Sequence, residues 1–179
     1  MKKTVITTPR LILRAMTEKD ENAMLELLTD PIVGKTYMIP EFTSREAARP
    51  LFHKIMEHSV SDRFVYGVYF ENDLIGFVND VEKKEKTIEL GYAYLPKYYN
   101  QGFATEALLA CIDTLFKAGF ETVRTGAFSE NLASMRVMEK AGMTRCPDTE
   151  IIEYRGKEHL CLYYERAHNN ISEIRTFCL

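Results

Sequence analysis

The segment of the sequence best suited to chemistry is a glycine-bearing loop that precedes a predicted helix. Residues 88–107 read IELGYAYLPKYYNQGFATEA, in which a β-rich run stops at Pro96 and an amphipathic helix starts just after Gly102. The first amides of a helix have no intrahelical acceptor, and the positive end of the helix dipole lies behind them. Such a loop binds anionic phosphates: Gly102 lets a ligand approach the backbone, and Thr105 offers a hydroxyl. The alternative interpretation is an ordinary strand-to-helix turn.

The absence of two common phosphate motifs narrows the choice of ligand. Neither G-x-x-x-x-G-K-[ST] nor G-x-G-x-x-G after a first strand occurs, so the sequence disfavours ATP and NAD. The four cysteines form no C-x-x-C pair, and the four histidines lack metal-ligand spacing. Cys111 lies on the apolar stripe of a predicted helix, where a buried thiol is the ordinary interpretation. We therefore expect no metal site and no cysteine nucleophile.

Length and composition exclude several classes of partner. The chain has 179 residues, of which 46% are apolar, enough for one sizeable core. Its net charge of −3 argues against the basic surface that nucleic-acid binding requires. No apolar run approaches the ~20 residues that span a bilayer, and no cleavable leader is evident, so we expect a cytoplasmic protein that does not bind membranes. We expect one domain over residues 1–167 and a tail over 168–179, in a monomer or a homodimer.

Alternating and β-branched runs predict the strands of one sheet. Short polar turns join several of these runs, which favours hairpins and a mainly antiparallel arrangement. The charged residues 82–86 are interpreted as a solvated turn between two strands. The predicted strands cover residues 10–14, 63–70, 74–81, 87–95, 122–128, 144–154 and 158–165.

Apolar residues spaced by three and four predict the helices. Thr17 can cap the first helix together with Asp20, and Pro31 ends it. Ser44 begins the second helix, which contains Pro50. The elements together predict a mixed α/β, or α+β, architecture. The predicted helices cover residues 18–28, 45–56, 104–116 and 132–141.

The glycine loop resembles the coenzyme A motif of the GNAT superfamily of N-acetyltransferases, [RQ]-x-x-G-x-[GA]. Gly102 and Ala104 match that pattern, while Tyr99 stands where the family usually has arginine or glutamine. The resemblance extends over residues 8–166, and several ordered motifs are more specific than one glycine loop. Three further stretches resemble, in order, the landmarks of the Rim-type ribosomal-protein N-terminal acetyltransferases: residues 8–14, 89–92 and 131–143.

This resemblance implies a GNAT fold, with a mostly antiparallel sheet of six to seven strands flanked by about four helices. It also implies acetyl-CoA as co-substrate, without a metal. Backbone amides would hold the diphosphate, so the tyrosine at position 99 removes one side-chain contact and leaves the loop intact. Asn131 would be the N-cap of the last helix, a contact to the pantetheine arm, or both. The cofactor-binding residues implied are Leu95, Tyr99, Asn100, Gln101, Gly102, Phe103, Ala104, Thr105, Asn131 and Ser134.

The same resemblance implies direct attack of an amine on the thioester, which needs no enzyme nucleophile. The thioester would lie in a V where strand 87–95 separates from strand 122–128, with the Leu95 amide facing the developing oxyanion. Glu89 would draw a proton from the amine, or else it is a structural carboxylate on the solvated face. Ser134 would protonate the leaving thiolate, or else it makes a local bond at a helix start.

The amine acceptor is open among three hypotheses: a protein N-terminus, a small amine such as a metabolite, polyamine or antibiotic, or none, in a non-catalytic acyl-CoA-binding domain. At pH 7 the neutral fraction is roughly 1 in 2,500 for lysine and about 1 in 7 for an α-amine, so an α-amine needs less help. The Rim-type motifs favour the first hypothesis. The second is favoured because residues 34–42 and 149–159 carry no readable peptide-binding signature.

Overall fold

Eight strands form one sheet in residues 4–168, the part of the chain that the computed structural model describes. The strands are β1 (Ile6–Thr7), β2 (Leu11–Arg14), β3 (Val65–Phe70), β4 (Asp73–Lys84), β5 (Thr87–Tyr94), β6 (Thr122–Phe128), β7 (Thr144–Tyr154) and β8 (Lys157–Ala167). Their order in the sheet is β1-β2-β3-β4-β5-β6-β8-β7. Neighbouring strands are antiparallel except β5 and β6, which confirms the mainly antiparallel prediction.

Helices cover both faces of this sheet. The first three pack on one face and the last two on the other, each side around its own apolar cluster. Two 3₁₀ turns, Glu18–Asp20 and Pro96–Tyr98, precede α1 and follow β5. The helices are α1 (Glu21–Thr29), α2 (Val33–Thr36), α3 (Arg45–Val60), α4 (Phe103–Lys117) and α5 (Leu132–Lys140).

Strand β5 sends alternate side chains to the two faces, as a pleated strand does. Ile88 and Leu90 are buried in the cluster beneath α4 and α5. Ala93 and Leu95, in contrast, are buried in the cluster beneath α1 to α3. Even-numbered residues of β5 therefore face α4 and α5, and odd-numbered residues, Glu89 among them, face the opposite side.

Side-chain caps begin two of the helices, as the sequence predicts. Thr17 and Asp20 form a capping box, in which the Thr17 N–H donates to Asp20 Oδ2 at 2.7 Å. The Tyr69 hydroxyl donates to the same carboxylate oxygen at 2.8 Å, which ties α1 to the sheet. Ser44 Oγ accepts from the Ala47 N–H at 3.2 Å and caps α3. These bonds satisfy amides that a helix start leaves without acceptors.

The strands β5 and β6 pair over a short stretch and then separate. Their parallel register runs from Thr87↔Thr122 to Leu90↔Thr125. Beyond that point β5 continues to Tyr94 without pairing with β6, while β6 stays paired with β8 as far as Phe128. The two strands thus form the V-shaped opening that the resemblance implies.

Three details differ from the sequence prediction. The sheet has eight strands because β1 adds two residues, too few to show a periodicity. The charged residues 82–86 are mostly strand: β4 extends to Lys84, whose backbone pairs with Thr87 while its side chain is exposed. The four-residue helix α2 follows Pro31 and raises the number of α-helices to five in the described residues.

None of the helices in residues 4–168 is both long and apolar enough to cross a bilayer. The predicted tail, residues 168–179, lies outside the described residues except for His168.

Candidate active site

The glycine loop between β5 and α4 presents three amides without acceptors. Gly102, at φ +80°, is the left-handed N-cap of α4, and Asn100 at φ +61° is left-handed too. The first intrahelical bond runs from the Glu106 N–H to the Gly102 carbonyl at 3.0 Å. Within residues 4–168, the amides of Phe103, Ala104 and Thr105 have no hydrogen-bond acceptor. The loop therefore offers a concave group of donors at the positive end of a 15-residue helix, suited to a phosphate.

A clamp from the turn between β1 and β2 holds this loop, and the sequence did not reveal it. Arg10 Nε donates to Glu106 Oε2 at 2.6 Å, and its Nη1 donates to the Gln101 carbonyl at 2.9 Å. Thr8 Oγ1 donates to Glu106 Oε1 at 2.6 Å. Thr8 and Arg10 belong to the first Rim-type landmark, but nothing local pairs them with a residue 96 positions or more away. The landmark fixes the first turn of α4.

The position that departs from the family pattern lies at the rim of the loop. Tyr99 follows the 3₁₀ turn, donates its N–H to the Pro96 carbonyl at 3.0 Å and keeps 40% of its surface exposed. The nearest cation to Gly102 is instead Arg10, whose Nη2 lies 3.3 Å from where a Cβ on Gly102 would be. A guanidinium thus lies beside the loop although position 99 lacks one, and it is paired with the Glu106 carboxylate.

The predicted oxyanion donor, the Leu95 amide, already donates a hydrogen bond within the sheet. The Leu95 N–H donates to the Ile75 carbonyl of β4 at 2.9 Å, so it points away from the V. Backbone amides alternate between the two edges of a strand. The neighbouring amide of Tyr94 therefore faces the open edge, so Tyr94 replaces Leu95 as the candidate oxyanion donor.

Ser134 lies in the first turn of α5, on the α4 side of the V. Its Oγ is 2.8 Å from the hydroxyl of Tyr92, which projects from the separated part of β5. Burial raises the pKa of Tyr92 to about 12, so this hydroxyl keeps its proton at neutral pH and can donate to Ser134. Tyrosines on strands usually pack, and no sequence pattern marks Tyr92 as a partner of Ser134. The structure brings the two hydroxyls into contact at the V.

Asn131 caps the same helix. Its Oδ1 accepts the Ser134 N–H at 3.1 Å, so the predicted N-cap is confirmed and the cap fixes the serine that follows. We predict that Asn131→Ala lowers the free energy of unfolding by about 1 kcal/mol, while Asn131→Asp, which keeps the acceptor, changes it by less than about 0.5 kcal/mol. Urea denaturation measures both values. Equal losses in the two variants would contradict a capping role.

Glu89 lies on the other side of the V from Ser134. It faces a cleft of about 650 Å³, and its side chain is 20% exposed. Burial raises the pKa of Glu89, and the nearby guanidinium of Arg124 opposes that rise. A carboxyl group with a raised pKa in a cleft is suited to accept a proton. The cleft is lined by Glu82, Lys84, Thr87, Glu89, Arg124, Asp148, Thr149, Glu150 and Tyr163.

Residues 34–42 and 149–159 meet above this face of the sheet. The Tyr154 hydroxyl from β7 lies 2.7 Å from the Gly34 carbonyl and 3.1 Å from the Ile39 carbonyl. Arg155 approaches Glu41, with 3.5 Å between Nη1 and Oε1. The β7–β8 hairpin is thereby joined to the segment around α2. The two segments are the ones that the sequence left without a recognisable signature.

Other reactive groups lie apart from the V. Cys111 is fully buried in α4, and burial raises the pKa of its thiol, so it stays protonated. Glu18, Glu21 and His53 bring ligand atoms within 4.8 Å of one another at the surface, and Glu21 already pairs with Arg49. Nothing further points to an ion there.

An enzyme that holds a long acyl thioester needs an anion-binding loop and, leading away from it, a strand edge that is free to pair. Both lie side by side at the end of β5. This is the arrangement that the resemblance to acyl-CoA-dependent N-acetyltransferases implies, with acetyl-CoA as the co-substrate.

Comparison with known proteins identifies the family. Residues 10–144 match the family model of the acetyltransferase (GNAT) domain. The chain is 33% identical over 142 residues to the uncharacterized N-acetyltransferase YnaD of Bacillus subtilis, covering 78% of this chain and 82% of that protein. The chain therefore belongs to the GNAT family of N-acetyltransferases.

Solved structures show the same fold. An acetyltransferase of the GNAT family from Bacillus anthracis superposes with a TM-score of 0.80 at 29% identity, covering 92% of this chain and 98% of that one. The ribosomal L7/L12 alpha-N-protein acetyltransferase RimL, in complex with coenzyme A, superposes with a TM-score of 0.72 at 21% identity, covering 92% and 98%. At that identity the second likeness concerns the fold alone.

Proposed function

We propose that this enzyme acetylates the N-terminal α-amine of a protein, by direct attack of the amine on acetyl-CoA. The observation that carries the proposal is the placement of Glu89 and Ser134 on opposite sides of the opening between β5 and β6. A proton acceptor on one side and a proton donor on the other suit a reaction in which an amine enters from one face and a thiolate leaves toward the other. The fold shared with RimL supports the choice of acceptor.

The glycine loop provides the anchor for the co-substrate. The amides of Phe103, Ala104 and Thr105 donate to the diphosphate, assisted by the dipole of α4. The pantetheine arm follows the open edge of β5, where amide and carbonyl groups have no strand partner within residues 4–168. Asn131 lies beside this path at the start of α5. Backbone groups thus set the position of the co-substrate along the V and hold its thioester in a fixed place for attack.

Three groups carry the chemistry. As the nitrogen bonds to the thioester carbon, the Tyr94 amide donates to the developing oxyanion. Glu89 accepts the proton that the amine loses. When the carbon–sulfur bond breaks, the Ser134 hydroxyl gives its proton to the sulfur and takes the Tyr92 hydroxyl proton in return. Solvent then returns a proton to Tyr92 and removes the one that Glu89 accepted. No covalent enzyme intermediate is needed, in agreement with the buried and protonated Cys111.

A second candidate acceptor is a small polycationic amine. The cleft at Glu89 is lined by four carboxylates and two cationic side chains, an excess of negative charge that attracts amines of any size. The proposal favours the α-amine because its neutral fraction at pH 7 is about 1 in 7, compared with roughly 1 in 2,500 for an alkylamine.

An acceptor screen tests the proposal. Purified protein with acetyl-CoA is offered N-terminal peptides, polyamines, amino acids and aminoglycosides, and thiol release is measured together with the mass of the product. We expect acetylation of peptide α-amines, with the same peptide blocked at its N-terminus as the control. Transfer only to polyamines or aminoglycosides would replace the proposed acceptor, and acetyl-CoA binding without any transfer would favour a non-catalytic role.

Replacing Gly102 tests the anchor. An alanine there would carry φ +80° and place its Cβ 3.3 Å from Arg10 Nη2, on the surface that the diphosphate approaches. We expect Gly102→Ala to weaken acetyl-CoA binding about tenfold by calorimetry, because the methyl group keeps the ligand from the backbone. Gly119→Ala is the matched control, since Gly119 has φ +96° and no atom of the described residues lies within 4 Å of the added Cβ. The Gly119→Ala variant should carry a similar backbone strain of about 1 kcal/mol and bind acetyl-CoA as tightly as the unaltered enzyme. Equal affinities in both variants would contradict the anchor.

A further inference from the structure

Arg124 of β6 is held in a fixed position opposite Glu89. The two residues are register partners in the parallel pair, so their side chains leave the same face of the sheet. Arg124 Nη1 donates to Asp148 Oδ2 at 2.9 Å, and the guanidinium lies 4.1 Å from the centre of the Tyr163 ring. An ion pair on one side and an aromatic ring on another restrict the rotation of a long side chain.

One donor of this guanidinium has no partner. Arg124 Nε is buried and makes no hydrogen bond within the described residues. Glu89 Oε2 lies 3.8 Å from it, just beyond hydrogen-bond distance. A buried donor without an acceptor costs free energy, so a small rotation of Glu89 toward Nε would be favourable. The geometry thus aims an unused donor at the proposed proton acceptor.

The other groups around Glu89 mostly disfavour its charge. Glu82 on β4 and Glu150 on β7 repel a second carboxylate, and burial penalises it further. Lys84 on β4 is the other cation that acts on Glu89, more weakly than Arg124. Asp148 of β7 also lines the cleft, as does Tyr163 of β8, whose hydroxyl donates to Glu150 Oε2 at 2.7 Å. Arg124 is the main counterweight to these effects.

We propose that Arg124 is a positioning residue that keeps the Glu89 carboxylate ionised and oriented toward the opening between β5 and β6. The proposal rests on the role of Glu89 as proton acceptor given above. Arg124 itself neither binds the co-substrate nor exchanges a proton, since an arginine stays protonated in proteins. Its effect on the reaction passes through Glu89.

The experiment measures the pKa of Glu89 directly and compares it with the rate. Carboxyl carbons of ¹³C-labelled glutamate are followed by NMR from pH 4 to pH 8, roughly the range in which a perturbed glutamate titrates. The Glu89 signal is assigned by its loss in Glu89→Gln. The variants are Arg124→Met, which removes the charge, and Arg124→Lys, which keeps the charge and loses the Nε donor. Arg145→Met, an exposed arginine on β7, is the matched control.

We expect the pKa of Glu89 to rise by about one unit in Arg124→Met, by less in Arg124→Lys and not at all in Arg145→Met. In the plot of log(kcat/KM) against pH, the slope should be about one below the acceptor's pKa of ~7.8 and about two below that of Glu89. The second break should move upward with the NMR value. We expect acetyl-CoA affinity to be the same in all variants, which would show that each variant keeps the fold.

The outcomes separate the two proposals. A Glu89 pKa that stays in place in Arg124→Met would overturn the role of Arg124. A pKa that rises while the break in the rate profile stays in place would support the pairing and overturn Glu89 as proton acceptor. If Arg124→Met fails to fold, Arg124→Lys decides, because a Glu89 pKa identical to that of the unaltered protein leaves no role for the Nε donor.

Discussion

Replacing Glu89 by glutamine is expected to lower kcat/KM by about 100-fold, the usual effect of losing a general base. Glutamine keeps the size and the polarity of the side chain but cannot accept the proton that the amine loses. Acetyl-CoA affinity should stay the same, because Glu89 lies on the opposite side of the V from the glycine loop. Steady-state thiol release and calorimetry measure the two quantities.

The pH dependence of this variant gives a second readout. Because burial raises the pKa of Glu89, the carboxylate is lost at a higher pH than an ordinary glutamate as the solution is acidified. The unaltered enzyme should therefore lose activity more steeply in acid than the neutral fraction of the amine alone requires, and Glu89→Gln should lack that extra slope. Glu153→Gln, an exposed strand carboxylate outside the cleft, is the control. A rate within about threefold of the unaltered enzyme in Glu89→Gln would leave only the structural interpretation.

Ser134→Ala is expected to lower kcat by about 100-fold, because the departing thiolate loses its proton donor. Alanine favours a helix at this position, so the fold should be kept. Ser129→Ala is the matched control: Ser129 precedes the same helix, and its hydroxyl donates to Oε2 of the neighbouring Glu130 at 3.3 Å. Rapid-quench and thiol-release measurements with a peptide acceptor give the rates.

The contact with Tyr92 allows a sharper test of the same assignment. If Tyr92 acts only through Ser134, Tyr92→Phe lowers kcat by about tenfold in the unaltered background and leaves kcat unchanged in Ser134→Ala. Additive losses in the double variant would show that the 2.8 Å contact between the two hydroxyls has no catalytic meaning. An unchanged kcat in Ser134→Ala itself would remove serine from the mechanism and leave it as a helix-start residue.

Elements with strong periodicity could be predicted from the sequence, and weak ones could not. The strand predicted over residues 122–128 coincides with β6, and the helix predicted over 104–116 differs from α4 by one residue at each end. The prediction of a turn over the charged residues 82–86 was wrong for most of them, because β4 keeps its backbone pairing to Lys84 although its side chains there are exposed. Charge indicates exposure, and an exposed strand end has the same composition as a turn.

The local parts of the site could also be predicted. Gly102 and Asn131 stand at element boundaries, where the chain's own conformation fixes their role, and the structure shows both as N-caps. The prediction that the Leu95 amide faces the V was wrong. The edge toward which an amide points depends on the strand register, which a single sequence does not reveal.

Contacts between distant segments could not be predicted. The Arg10 clamp on the loop joins residues 96 positions apart, and the Tyr154 contact with the Gly34 carbonyl joins residues 120 positions apart. Arg124 meets Glu89 only through the parallel pairing of β5 with β6. Each of these contacts follows from the topology of the sheet, to which local composition gives no guide.

The claim on which this mechanism depends is that the amides of Phe103, Ala104 and Thr105 bind the diphosphate of acetyl-CoA. An amide NMR titration that compares acetyl-CoA with acetyl-pantetheine, which lacks the diphosphate, tests it directly. We predict that these three amides shift strongly with acetyl-CoA and little with acetyl-pantetheine, while Tyr94 and Ser134 shift with both. Equal shifts of the three amides with both ligands, or no shift with acetyl-CoA, would contradict the claim.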